Sequence, residues 1–149
     1  MHWVRGFTIV ETMIVLVLTL IILFVVVGNF SQFFYGSIVD GEVQSLVSML
    51  RLAKGKSVSE VNDKAYQVVL TGTSFALQTE AGEVVETHLM NSQARITANT
   101  TGTIVFNKNT GVASTRCPTG CTITISFYPN TSFAAKNVLV SSQGLISIQ

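Results

Sequence analysis

Residues 6–28 read GFTIVETMIVLVLTLIILFVVVG, and this stretch decides which class of protein the chain belongs to. Its only strongly polar side chain is Glu11, and residues 13–27 are interrupted by a single threonine. Since an α-helix rises 1.5 Å per residue, a helix from Phe7 to Gly28 would be about 33 Å long, enough to cross a hydrocarbon core of roughly 30 Å. The stretch therefore predicts a transmembrane helix.

Two ordinary kinds of membrane-targeting segment could explain this stretch: a secretory signal peptide and a signal anchor. A secretory signal peptide has a shorter apolar core, of about 7–15 residues, and a small-x-small cleavage site after it. Here the apolar run is too long, and residues 26–29 (VVGN) make a poor cleavage site. A plain signal anchor explains the length, and Arg5 on the short N-terminal side would place the N-terminus in the cytoplasm. The anchor leaves Glu11 unexplained.

The carboxylate of Glu11 would be costly to bury in the membrane without a partner of opposite charge. A carboxylate one turn inside the hydrocarbon costs about 2.5–3.5 kcal/mol even on the lenient insertion scale. If the chain were cut between Gly6 and Phe7, the new α-amine of Phe7 would lie four residues from Glu11. Glu11 of a neighbouring subunit could pair with that amine in a low dielectric, which offsets the burial of both charges. In this interpretation Glu11 serves assembly.

The segment Gly6-Phe7-Thr8-Ile9-Val10-Glu11 resembles the prepilin signature of type IV pilins and type II secretion pseudopilins. The shared features are a short leader ending in glycine, phenylalanine as the first mature residue, glutamate as the fifth and then an apolar helix. The resemblance implies that residues 1–6 are a leader removed by the prepilin peptidase and that Phe7 is N-methylated. It also implies partners: membrane lipid before assembly, an inner-membrane assembly platform, a separate assembly ATPase and other pilins or pseudopilins in a filament.

Apolar residues continue at helical spacing beyond the membrane. They follow steps of three, four and seven residues, which is typical of a helix with one buried stripe. The stripe consists of Phe30, Phe33, Phe34, Ile38, Val43, Leu46, Val47, Leu50 and Ala53. We therefore predict one helix from Phe7 to about Val61, with residues 7–28 in the membrane and residues 29–62 outside the cytoplasm.

From Ala65 onward the apolar period changes to two, which indicates strands. The predicted strands are Ala65–Thr71, Ser74–Thr79, Glu83–Met90, Gly102–Asn107, Val112–Thr115, Thr122–Tyr128, Asn137–Ser142 and Leu145–Ile148. The predicted fold is α+β and pilin-like: a long N-terminal helix, transmembrane in its first half, packs on an antiparallel β-sheet. Residues 63–149 would form the globular β domain.

The second half of the chain narrows the resemblance. Val43–Val58 and the following Gln67-Val-Val-Leu strand are similar to the GspH/FimT group of minor pilins and pseudopilins, as are the patterns at residues 102–107, 122–125 and 137–148. The resemblance implies a low-abundance subunit that helps initiate or modify a type IV pilus or a type II secretion pseudopilus. It further implies a single-pass protein of the inner (cytoplasmic) membrane, with its N-terminus inside and its C-terminal domain outside, that then enters the filament.

The charge distribution raises a second function. From His88 to the C-terminus there are four basic residues and no acidic one: Arg95, Lys108, Arg116 and Lys136. Members of the same group that take up DNA carry arginines around the closing glycine-containing hairpin, whereas Gly144–Gln149 has none. DNA contact would need the four basic side chains to converge, because phosphate binding requires several charges acting together. Scattered, solvated side chains are the ordinary alternative.

The two cysteines lie close together in Cys117-Pro-Thr-Gly-Cys121. Two ligands are too few for a structural zinc site, and redox activity would favour a spacing of two residues rather than three. A small disulfide-closed loop outside the cytoplasm is the better interpretation.

No catalytic motif, metal site or cofactor site is recognisable in the sequence. It contains no G-x-S-x-G, Walker, H-E-x-x-H or dinucleotide-binding motif, and outside the leader His88 is the only histidine. We therefore expect a non-enzymatic protein. Three functions stay open: a filament subunit, a DNA-binding minor pilin for natural transformation, and a membrane-anchored binding domain that does not polymerise.

Overall fold

The computed structural model describes residues 8–59, 64–99, 102–113, 120–129 and 134–149, with the side chains of residues 27–32 outside that description. Within these ranges the chain forms one helix, α1 (Ile9–Val58), and eight strands. The strands are β1 (Tyr66–Leu70), β2 (Ser74–Thr79), β3 (Val84–Leu89), β4 (Ala94–Ala98), β5 (Thr103–Phe106), β6 (Cys121–Phe127), β7 (Ala135–Val140) and β8 (Ile146–Ile148). The fold is α+β, and the chain divides into an N-terminal unit, Met1–Phe34, and a C-terminal unit, Tyr35–Gln149.

The N-terminal unit contains an apolar helical segment, Ile9–Val26. Its mean hydropathy is 3.0 and none of its side chains is buried. The segment contains neither proline nor glycine, so each backbone amide can bond within the helix, as a hydrocarbon environment requires. The segment is long and apolar enough to cross a membrane.

The C-terminal unit begins with the last part of α1, which buries one stripe of side chains. The stripe consists of Val39, Val43, Leu46, Val47, Leu50 and Ala53, at the spacing of an amphipathic helix. The predicted stripe also included Phe33 and Phe34. That part of the prediction was wrong, because these two side chains are 76% and 53% exposed. Periodicity identifies an apolar face, but whether a residue on that face is covered depends on the other elements.

The end of α1 is held by bonds to two later segments. The backbone carbonyl of Ser57, one of the orphan acceptors at a helix C-terminus, accepts a hydrogen bond from the Asn109 amide at 2.9 Å. The Ser57 hydroxyl is buried and accepts a hydrogen bond from the Tyr66 amide at 3.0 Å. The helix therefore ends where β1 and the loop after β5 can satisfy it.

The first sheet has the antiparallel order β3-β2-β1-β5. In β1 and β2 every second side chain is buried, as predicted from the period of two. The bounds of β2 coincide with the predicted strand, and β1, β3 and β5 are each one residue shorter at either end than predicted.

A second sheet has the antiparallel order β4-β6-β7-β8, so the prediction of a single sheet was wrong. β4 was not predicted, because two of its three inward positions are alanines, which are depleted in strands. Its pairing with β6 holds it in place. In the predicted strand Val112–Thr115, only Ala113 forms a bridge, to Phe106, and residues 114 and 115 lie outside the described residues.

One hydrophobic core joins the helix stripe to the inward rows of both sheets. Its largest fully buried side chains include Phe75 of β2, Phe106 of β5, Leu46 and Leu50 of α1, and Ile123 of β6. Burial of each such side chain contributes about 1.5–3 kcal/mol. The core therefore fixes the C-terminal unit as a single packed body.

The turn between β7 and β8 docks against the end of α1. Lys54 Nζ donates a hydrogen bond to the Gly144 carbonyl at 2.9 Å. Gly144 has φ of 73°, and a Cβ at this position would collide with the backbone carbonyl of Gly111. We call this contact between Lys54, Gly111 and Gly144 the closing junction. Only a residue without a side chain allows so close an approach of two backbones.

Candidate functional site

Thr8 and Glu11 form the start of α1. The Glu11 amide donates a hydrogen bond to Thr8 Oγ1 at 3.3 Å, so Thr8 caps the helix. A threonine followed three residues later by glutamate is the capping-box pattern, in which each side chain serves the helix start. Glu11 also lies in the first turn, where a negative charge is favoured by the helix dipole. This local role was readable from the sequence but was not predicted.

Two further threonines in the segment are satisfied within the helix. Thr12 Oγ1 donates to the Ile9 carbonyl at 2.8 Å, and Thr19 Oγ1 donates to the Val15 carbonyl at 2.7 Å. Their hydroxyl groups therefore need no outside partner in hydrocarbon. Glu11 is left as the one ionisable side chain of residues 9–26.

The side chains from Ile9 to Val26 form one continuous exposed apolar surface. Phe24 is 86% exposed, and even the least exposed large apolar side chain, Leu23, is 52% exposed. Soluble monomers rarely expose a contiguous apolar patch of more than a few hundred Å². The segment needs lipid or other apolar helices around it, and Glu11 is where a cation could meet it.

The predicted processing site lies outside the described residues. Cleavage between Gly6 and Phe7 and methylation of Phe7 therefore remain predictions. Glu11, which we predict pairs with the α-amine of Phe7 in a neighbouring subunit, is among the described residues and is exposed on the helix surface.

Two of the predicted basic residues that the structure describes, Arg95 and Lys136, do not share one face of the second sheet. Arg95 of β4 lies opposite Ser126, whereas Lys136 of β7 lies opposite Ile125, the next residue of β6. Because directly opposed residues share a face and successive residues alternate, Arg95 and Lys136 lie on opposite faces of this sheet.

Two of these basic residues, Arg95 and Lys136, have partners among the described residues. The Arg95 guanidinium lies 4.7 Å from the centroid of the Tyr128 ring and donates to the Ala94 carbonyl at 2.7 Å. Lys136 forms an ion pair with Asp40 of α1. Lys108 follows β5 and lines a cavity with Lys64 and Glu80, and Arg116 lies outside the described residues.

Cys121 is the first residue of β6 and is buried. Cys117 lies outside the described residues, so the predicted disulfide-closed loop stays a prediction. Among the residues that the structure describes, no group of three histidine, cysteine or acidic side chains could hold a metal ion.

A polar contact between α1 and the first sheet was not predicted. Glu42 of α1 is only 12% exposed, and its two carboxylate oxygens have different partners. Oε2 lies 2.9 Å from His88 Nε2, and Oε1 accepts a hydrogen bond from the Asn91 amide at 2.8 Å. The His88 ring also stacks on Phe75, with 4.6 Å between centroids. No local sequence signal could reveal a pair of residues 46 positions apart.

Comparison with known proteins finds no family model, curated protein or solved structure that matches this chain. Two features of the described chain bear most directly on its function: the apolar segment that begins at Ile9 and the carboxylate of Glu11.

Proposed function

We propose that the chain is a structural subunit, of the minor type, of a type IV pilus or a type II secretion pseudopilus. The apolar part of α1 would hold the precursor in the inner membrane and later pack among the same segments of neighbouring subunits. The C-terminal unit would lie outside the cytoplasm and then on the outside of the filament, which corresponds to a pilin-like arrangement of an α+β chain.

The observation that carries this proposal is the exposed apolar helix with one carboxylate in its first turn. Lipid alone accounts for the apolar surface, since none of the residues Ile9–Val26 is buried. Lipid does not account for Glu11, whose burial in hydrocarbon costs about 2.5–3.5 kcal/mol. An assembly in which each Glu11 meets an amine accounts for both features.

The amine would come from processing. Cleavage between Gly6 and Phe7 by the prepilin peptidase creates a charged α-amine at Phe7, and N-methylation leaves it basic. Paired with Glu11 of a neighbouring subunit, it would offset the desolvation of both groups. Filament growth would be powered by a separate assembly ATPase at the inner-membrane platform, because the sequence has no nucleotide-binding motif.

The capping geometry favours a second candidate function, a membrane-anchored domain that does not polymerise. With Thr8 as the cap and Glu11 in the first turn, the carboxylate already has a local reason to be present. In that case Glu11 would stabilise the start of α1 near the lipid headgroups and would have no partner in a neighbouring subunit.

DNA capture, the third function, gains nothing from the geometry. Arg95 and Lys136 face opposite sides of one sheet, and Lys136 is paired with Asp40. We therefore expect duplex DNA to show little salt-dependent binding to the chain.

The proposal is tested by the abundance of surface filaments in a strain that lacks the chain. We expect fewer filaments or an arrested secretion system, restored by the intact chain and not by Glu11→Ala. Filament abundance and secretion that are both unchanged by the deletion would count against the proposal, and rescue by Glu11→Ala would favour the non-polymerising anchor.

A further inference from the structure

We propose that the open edge of β3 binds an extended segment of another protein, which adds a strand to the first sheet and places a lysine or arginine side chain on Glu86. This inference goes beyond the proposed filament function and does not depend on it. It follows from three observations: an unpaired strand edge, a groove beside that edge and an unpaired carboxylate in the groove.

β3 is an edge strand, since among the described residues it pairs only with β2. The Met90 amide donates to the Thr73 carbonyl, which places the bonded positions of this antiparallel pair at alternate residues. The backbone groups of Glu86 and His88 therefore point towards β2, and those of Thr87 and Leu89 point away from it. The outward groups of Thr87 and Leu89 can bond a further strand.

A groove of about 370 Å³ runs between β3 and the exposed side of α1. Met49 and Phe75 form its apolar floor, Leu52 lies on the α1 side, and Glu86 and His88 lie on the β3 side. Leu52 is 41% exposed although it adjoins the core helix stripe. A strand added beyond β3 would extend the sheet over this groove, because the inward side chains of a sheet point towards α1.

The negative charge of Glu86 in the groove indicates that the partner segment carries a basic side chain. Glu86 has no hydrogen bond or ion pair to any residue that the structure describes, whereas Glu83 is paired with Lys64 and Glu42 with His88. An alternate side chain of the added strand could lay its methylenes on Leu52 and bring a cation to Glu86. In this recognition mode the backbone supplies affinity and the side-chain sites supply specificity.

The same charge disfavours a second copy of this chain as the partner. β3 contains Glu86 and no lysine or arginine. A two-fold antiparallel pairing of two β3 strands centred near Glu86 would bring the two Glu86 side chains close together, and like charges on neighbouring strands repel. A basic segment of a different protein does not meet this repulsion.

The test uses the full-length chain in detergent micelles and a fluorescent octapeptide, STVTKTVS, blocked at both ends. The alternate residues S, V, K and V would face the groove. We expect binding that weakens about three- to fivefold when the lysine is replaced by glutamate, as for one exposed ion pair. The variant Glu86→Gln should remove this preference, and the control Glu83→Gln should retain it.

Backbone methylation separates strand addition from simple charge attraction. Two isomers of the peptide carry N-methyl groups on alternate sets of amides, so one set would face β3 and the other would face solvent. We expect one isomer to lose binding and the other to keep it. Equal loss in both isomers, equal affinity for the lysine and glutamate peptides, or no binding at about 1 mM peptide would overturn the proposal.

Discussion

At Glu11 a local role in the helix start competes with a role between subunits. The capping box accepts glutamine as well as glutamate at this position, because both side chains offer an oxygen of the same reach. Only glutamate carries the charge that an α-amine requires. The two roles therefore predict different results for the same substitution.

We predict that Glu11→Gln preserves the helix, membrane insertion and cleavage of the leader but abolishes assembly into filaments. The measurement is the amount of chain in sheared surface material relative to membranes. Thr8→Val is the matched variant, since it removes the capping hydroxyl at a cost of about 1 kcal/mol and keeps the charge. If Thr8→Val abolished assembly and Glu11→Gln did not, the local role of Glu11 would be the correct one.

The closing junction gives a second prediction at the residue scale. Gly144→Ala places a Cβ against the Gly111 carbonyl at a positive φ, so we expect a loss of at least about 2 kcal/mol of unfolding free energy. For a chain of this size the melting temperature would fall by roughly 4–8 °C.

The control for the closing junction is Gly72→Ala, because a Cβ at Gly72 meets no atom within 4 Å. Its effect should stay within about 0.5 kcal/mol. Melting curves from near-ultraviolet circular dichroism would compare the two variants, and equal melting temperatures would show that the contact between Gly144 and Gly111 is not close.

At the scale of elements, the buried stripe of α1 should dominate the stability of the C-terminal unit. Leu50 is fully buried in the common core, whereas Leu52, two residues later, is 41% exposed. We predict that Leu50→Ala costs about 2–5 kcal/mol and that Leu52→Ala costs much less. Denaturant unfolding of both variants measures this difference, and similar midpoints would contradict the assigned helix face.

The elements also show what a sequence can and cannot predict. The alternating pattern predicted β2 to the residue, because two of its inward positions, Phe75 and Leu77, are large and apolar and its outward positions are small or polar. β4 was not predicted, because alanines weaken the strand pattern and because its partner, β6, is distant in sequence. The pattern of one strand does not record its neighbours, so it also could not reveal that the strands divide into two sheets.

The candidate site shows the same division. The apolar segment and Glu11 are local features, and the sequence predicted both. The contact of Glu42 with His88 and the closing junction join residues 46 and 90 positions apart, so they depend on the finished packing. Exposure of Phe33 and Phe34, which were predicted to be buried, shows that an apolar face does not by itself identify what covers it.

At the scale of the whole molecule, the chain has two parts suited to different surroundings, one to lipid or apolar helices and one to water. Residues Ile9–Val26 expose only helix surface suited to lipid or to other apolar helices, while Tyr35–Gln149 contains a packed core of its own. A filament subunit uses both parts, because the first would join neighbours and the second would face the surroundings. A plain anchor would use only the second for function.

The most direct measurement is mass spectrometry of the chain in sheared surface filaments from its own source. We expect the chain to be present in this fraction, with an N-terminal peptide that begins with N-methylated Phe7. If the chain were found only in the membrane fraction, with residues 1–6 still attached, the proposed processing and assembly would be wrong.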